Sequence, residues 1–223
     1  MTARGPVLFD EISARLPLFE ELSGAALDHL VMAGFGRGLL TAYVRGRVRK
    51  AGFTDMAALA LATPVELIEV RKIGPARITT IRDYVWLDLA RRFPGLREFH
   101  SASETAARRM QRLHAIPVDR LQIAPETLEA LGLTGATGAT LAMRTRRRSL
   151  DARVVTSGQL DRMVSAVVGM MLHDMPRQAP PHRPTDEDPA AAESRIYEER
   201  ARLLQERDRE WEEAAPRRRG GSK

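Results

Sequence analysis

Arg71, Lys72 and Arg77 bracket an Ile73-Gly74-Pro75 turn, and that combination suits phosphate chemistry. Leu67, Ile68 and Val70 precede the turn; Ile78, Ile81 and Val85 follow it at helical spacing. The pattern predicts a helix, a tight turn, and a second helix opening at Pro75. Backbone N–H groups and a helix N-terminus both carry partial positive charge, so such a turn can lie against a phosphate. The predicted contacts are Arg71, Lys72, Ile73, Gly74, Ala76 and Arg77.

Two further basic sets stand out. Arg45, Arg47, Arg49 and Lys50, with Arg37, fall in a window without acidic residues between Asp28 and Asp55. The densest run is Arg144-Thr145-Arg146-Arg147-Arg148. Arg144, Arg146, Arg147 and Arg148 have two readings: a clamp on a second stretch of nucleic acid, or a solvated loop or protein contact. A third cluster, Arg108, Arg109 and Arg112, lies on a predicted helix over residues 101–114.

Other chemistry is poorly represented. There is no cysteine, which excludes disulfides and thiolate zinc sites. The histidines His29, His100, His114, His173 and His182 show no metal-ligand spacing. His29 reads as packing, and His173-Asp174 as a minor ligand pair at best. Gly135-Ala136-Thr137-Gly138 lacks the lysine of a phosphate loop and reads as a turn. No nucleophile elbow occurs. The expectation is a non-enzyme without cofactor or metal.

The 223 residues carry a formal net charge of +6, which favours polyanionic partners. Lys50, Lys72 and Lys223 are the only lysines. Arginine suits phosphate through its planar fork, although codon bias in a GC-rich genome enriches arginine too. No signal peptide or membrane span is legible, so a cytoplasmic, nucleoid-associated location is expected.

The predicted architecture is mainly α: a small helical bundle, a second small helical region, a disordered linker and a charged C-terminal helix. Ser23 caps a helix over 24–33. A helix over about 39–51 carries Leu40, Val44, Val48 and Ala51, and Gly52 ends it. Thr54 caps a short helix, and Thr63-Pro64-Val65-Glu66 is a capping box. The helix after the turn runs to about Arg92. Residues 133–140 read as a loop, and 143–155 as a loop or short hairpin. Thr156 or Ser157 caps a helix whose Leu160, Met163, Val164, Val167 and Met171 form either core or a partner surface. Residues 178–189 read as linker, and 190–215 as a charged helix before a small basic tail. The expected divisions are 9–95, 96–175 and 176–223. No internal repeat is legible.

With those segments in place, residues 43–83 resemble the C-terminal domain of the bacterial RNA polymerase α subunit, a helical module related to helix-hairpin-helix domains. The matching residues are Ala51-Gly52-Phe53, Leu59, Thr63, Glu66-Leu67-Ile68 and Ile73-Gly74, then Ile78 and Ile81. The resemblance implies binding to double-stranded DNA through backbone and minor groove, and contact with transcription factors. The family's DNA-contacting Arg and Asn fall on Tyr43 and Gly46, and its Lys on Ala76 beside Arg77; Arg45, Arg49 and Arg77 are the cations that could replace them by a register shift. The resemblance thus implies a non-catalytic transcriptional regulator. RNA polymerase, another transcription factor or a second copy of the chain would enlarge a small interface. A replication, repair or recombination accessory, or a protein-binding adaptor, are the alternatives.

Overall fold

The computed structural model describes residues 7–173 apart from 37, 122 and 152–154. Among the described residues the chain is mainly helical, with twelve α-helices, one 3-10 helix and no strand beyond two isolated bridges. The predicted linker, the charged C-terminal helix and the basic tail lie outside the described residues.

In chain order the helices are α1 (Leu8–Ala14), α2 (Gly24–Met32), α3 (Ala42–Lys50), α4 (Met56–Leu61), α5 (Pro64–Glu69) and α6 (Pro75–Arg92). They continue with α7 (Leu96–Phe99), α8 (Ala102–Ala115), the 3-10 turn Val118–Leu121, α9 (Pro125–Ala130), α10 (Gly138–Ala142), α11 (Arg146–Asp151) and α12 (Ser157–His173).

Local chemistry sets most of these boundaries. Ser23 and Thr41 each accept from the backbone N–H three residues on, capping α2 and α3. The cap of α4 is Asp55 rather than Thr54, because Asp55 Oδ1 takes the Ala58 N–H at 2.8 Å. The Thr54 hydroxyl instead donates to Asp55 Oδ2. The Thr63–Glu66 capping box forms in full and opens α5 behind Pro64. Thr156 and Gln159 form a reciprocal box of the same kind at the start of α12.

Two of the expected loops also change. Residues 143–155 do not stay a loop or pair as a hairpin: Thr145 Oγ1 accepts the Arg148 N–H at 3.3 Å, and α11 follows. The loop read over 133–140 ends early, at Gly138, where α10 packs tightly. A Cβ on Gly138 would lie 3.1 Å from the Leu113 carbonyl oxygen.

Apolar burial divides between two cores. The first gathers Leu18 to Leu89, with Ile78, Ile81, Val85 and Leu89 of α6 running through it. The second gathers Leu113 to Met171, with α12 as its spine. Leu8, Ile12 and Leu16 belong to the second core, so the expected 9–95 division does not follow the packing of α1. Leu160, Met163, Val164, Val167 and Met171 are all buried there, which makes that stripe core and not a partner surface.

A charged cluster joins the two cores. Glu20, whose side chain is fully buried, accepts from Arg109 Nε at 2.7 Å and from Arg112 Nη2. Arg109 Nη2 also donates to the Pro17 carbonyl at 2.7 Å. Arg82 of α6 reaches the His100 carbonyl at 3.0 Å. The cluster predicted at Arg108, Arg109 and Arg112 is therefore structural. Burial and the neighbouring Arg108 and Arg82 guanidinium groups lower the His100 pKa to about 4.

Candidate nucleic-acid interface

The α5–α6 turn is built from opposing local preferences. Leu67 and Val70 are buried and pull the end of α5 into the first core; Ile73 does the same just before α6. Between them Lys72 takes a positive φ of 78°, a left-handed conformation that costs a non-glycine residue on the order of 1 kcal/mol. Its side chain points outward with that of Arg71, and both are exposed.

Gly74 is the N-cap of α6 and has an extended backbone, φ −112° and ψ 178°. Any residue could adopt it. Apart from Ile73, Gly74 and Pro75 themselves, nothing lies within 4 Å of where a Gly74 Cβ would stand, so open space borders the backbone there. No side chain caps α6, and among the described residues neither the Gly74 nor the Ala76 N–H finds a backbone or side-chain acceptor. Pro75 has no N–H. Arg77 and Ile78 close the first turn on the Gly74 carbonyl at 2.9 and 3.0 Å. The turn thus presents two open donors at the positive end of an 18-residue helix. Exposed Arg71 and Lys72 and half-buried Arg77 surround it, none of them ion-paired among the described residues.

The second basic set lies along α3, with Arg47, Arg49 and Lys50 in its last turn. Val44 and Val48 are buried in the first core, which turns the intervening cations outward. Gly52, with φ 93°, closes the helix as its left-handed C′ residue. The Phe53 N–H then reaches the Val48 carbonyl at 3.1 Å and the Gly52 N–H the Arg49 carbonyl at 2.9 Å, a Schellman closure. Arg45 and Lys50 are exposed. Arg47 Nε donates to the Tyr43 hydroxyl at 2.8 Å, and its guanidinium lies 4.9 Å from that ring centroid. Arg49 stacks over Phe35 at 5.3 Å. The sequence reading missed Tyr43 as the group that orients Arg47, although their i, i+4 spacing is a usable signal. Both sets flank the first core, and among the described residues no hydrogen bond or ion pair links them.

The Arg144–Arg148 run splits. Arg146 is tied down: it donates to Glu11 Oε2 at 2.7 Å, Asp161 Oδ1 at 2.7 Å and Ser157 Oγ at 2.8 Å. The Asp161 hydrogen bond, against the opposing effect of burial and helped by the Glu11 and Asp161 charges, raises its pKa. Arg144 is half-buried, and burial and then Arg148 lower its pKa. Arg147 and Arg148 are the exposed pair.

Among the described residues no group of three His, Asp or Glu side chains could hold a metal ion. His29 Nε2 lies 2.8 Å from Asp88 Oδ2, and its ring meets Phe93 edge-on, so it bridges α2 and α6 as packing. Among the described residues no helix is long and apolar enough to cross a membrane.

Comparison with family models, with curated proteins and with solved structures finds no match to this chain.

Proposed function

We propose that this chain is a non-catalytic DNA-binding protein of transcription control, gripping the duplex backbone at the α5–α6 turn. The observation that carries the reading is the pair of open N–H donors at Gly74 and Ala76, set among Arg71, Lys72 and Arg77. A phosphate satisfies both donors, and each cation it meets releases counterions from the duplex. Arg45, Arg49 and Lys50 supply a second basic edge on the same core. Arg146 is excluded from the grip by its carboxylate partners, whereas Arg148 stays solvent-facing.

The test is fluorescence anisotropy with a random duplex at about 50 and about 200 mM salt. Affinity that falls on the order of tenfold or more across that range supports backbone gripping. No binding at the lower salt rejects it. Footprinting then separates a regulator, which protects a defined site, from a replication or repair accessory, which does not.

The adaptor reading draws on one specific observation. Val65 and Ile68 of α5 are 42% and 52% exposed, one turn apart and beside the same turn. It calls for a stable protein complex in a pull-down and no salt-sensitive DNA affinity.

A further inference from the structure

Two runs of this chain follow one structural order. The first is α2, α3, α4, α5 and α6; the second is α8, α9, α10, α11 and α12. The bonds that close their loops recur in pairs. Met56 N–H donates to the Gly34 carbonyl at 2.6 Å, and Gly138 N–H to the Ile116 carbonyl at 2.8 Å. Phe53 N–H reaches Val48 at 3.1 Å, and Leu133 N–H reaches Leu128 at 2.8 Å, each just past a left-handed glycine, Gly52 and Gly132. The Ala62 carbonyl takes the Leu18 N–H at 2.9 Å, and the Arg144 carbonyl the Leu8 N–H at 2.8 Å. Thr63 and Thr145 cap α5 and α11, six residues each.

The buried stripe keeps register as well. Leu59, Ile73, Ile78, Ile81, Val85 and Leu89 in the first run match Leu141, Val155, Leu160, Met163, Val167 and Met171 in the second. The spacing is identical at every step, from α4 through the turn to the end of α6. Unrelated helical segments share an order of helices easily. Sharing the loop-closing bonds and a stripe without a one-residue slip is a much stronger coincidence, because a slip of one residue rotates a helical face by about 100°.

The two turns differ in chemistry at the positions that matter. Where the first run has Lys72, Gly74, Arg77 and Thr79, the second has Val154, Thr156, Gln159 and Asp161. Gln159 Oε1 accepts the Thr156 N–H at 2.8 Å, so the donor equivalent to that of Gly74 is already satisfied. Asp161 adds a carboxylate, and Arg146 holds it together with Glu11 of α1 and the Ser157 hydroxyl.

We infer that this chain is an internal duplication of one five-helix module, and that its second turn has been converted from an anion contact into an internal joint holding α1 to α12. The identity of what the first turn grips rests on the reading proposed above; the duplication does not.

The test is a titration of the full isotope-labelled chain with pyrophosphate at low salt, read from backbone amide shifts. The Gly74 and Ala76 amides should move while those of Thr156 and Gly158 stay in place. Equal movement at both turns or movement at the second alone overturns the conversion of the second turn, and movement at neither rejects the anion contact at the first turn and with it the conversion. The V154K/Q159R/D161T variant copies three first-turn residues into the second. If it is folded by its amide spectrum, the Gly158 amide should gain a response, and silence overturns the equivalence of the two turns. If this variant does not fold, the wild-type titration still decides. First-turn shifts with pyrophosphate, but no affinity for a duplex, leave the duplication standing and reject DNA as the ligand.

Discussion

Arg109 of α8 donates through Nε to Glu20 at 2.7 Å, although the two residues belong to opposite sides of the junction between the cores. Glu20 has no exposed side-chain surface, and Arg112 holds its other oxygen. Removing one member of a buried pair leaves the other desolvated and uncompensated. Glu20→Gln is expected to lower stability by about 3–5 kcal/mol. Urea denaturation checks this, and a change under about 1 kcal/mol would show that the pair is not what fixes the junction.

His100 sits between the Phe19 and Phe99 rings and titrates at about 4 in the fold, against an ordinary 6.5. A depressed histidine pKa means the unfolded chain binds the proton first as pH falls. Its contribution is therefore complete above about pH 6.5 and is lost progressively between about 6.5 and 4. The expected loss over that window is on the order of 2–3 kcal/mol. His100→Leu should flatten this part of the stability–pH curve, and an unchanged slope assigns the effect to other groups.

Lys72 and Gly74 carry opposite demands on the turn. Lys72 has a positive φ that glycine would adopt without strain, whereas Gly74 has a φ open to any residue. Lys72→Gly should raise stability by about 1 kcal/mol and weaken duplex binding. Gly74→Ala should change stability by less than about 1 kcal/mol, because the reduced freedom of the unfolded chain is offset by alanine's poorer N-capping, yet weaken binding by crowding the open donors. Thermal melts and anisotropy on both variants separate the two effects. Full affinity in Gly74→Ala places the bound phosphate elsewhere.

Arg146 and Arg148 lie in one basic run with different roles. Arg146→Ala removes the hydrogen bonds to Glu11, Asp161 and Ser157. It should destabilise by about 1–2 kcal/mol, the pairs being only partly buried. Arg148→Ala should leave stability within about 0.5 kcal/mol. Denaturation curves compare them directly, and equal effects would remove the distinction.

The triple variant R45A/R49A/R77A should bind DNA more weakly and reduce the salt slope by roughly 3, about one for each phosphate that is no longer neutralised. Anisotropy over a salt series measures both quantities. A variant with unchanged affinity and slope excludes these three cations from the interface.

Much of the architecture was legible before any coordinates. Ser23, the Thr63–Glu66 box, Pro75 and Gly52 announce helix ends through bonds made within a few residues of themselves. The periodicity of Ile78, Ile81 and Val85 declares a buried face because a helix brings such residues into line by its own geometry. The phosphate contact proposed at the α5–α6 turn rests on equally local signals: a Gly-Pro start flanked by Arg71, Lys72 and Arg77.

Only the tertiary structure assigned partners. Arg144–Arg148 reads as one basic run, and Glu11 and Asp161 single out Arg146 from it because folding brings distant carboxylates to hydrogen-bond range. Glu20 reads as an ordinary surface acid until α8 covers it with Arg109 and Arg112. The doubled module stayed hidden for a related reason. Ile, Leu, Val and Met substitute for one another in a core, and Gly and Thr both serve as helix N-caps, so the two copies kept their packing while their letters diverged. Local signals fixed where this chain bends; which distant groups meet at each bend was decided by how the two cores close around α1 and α8.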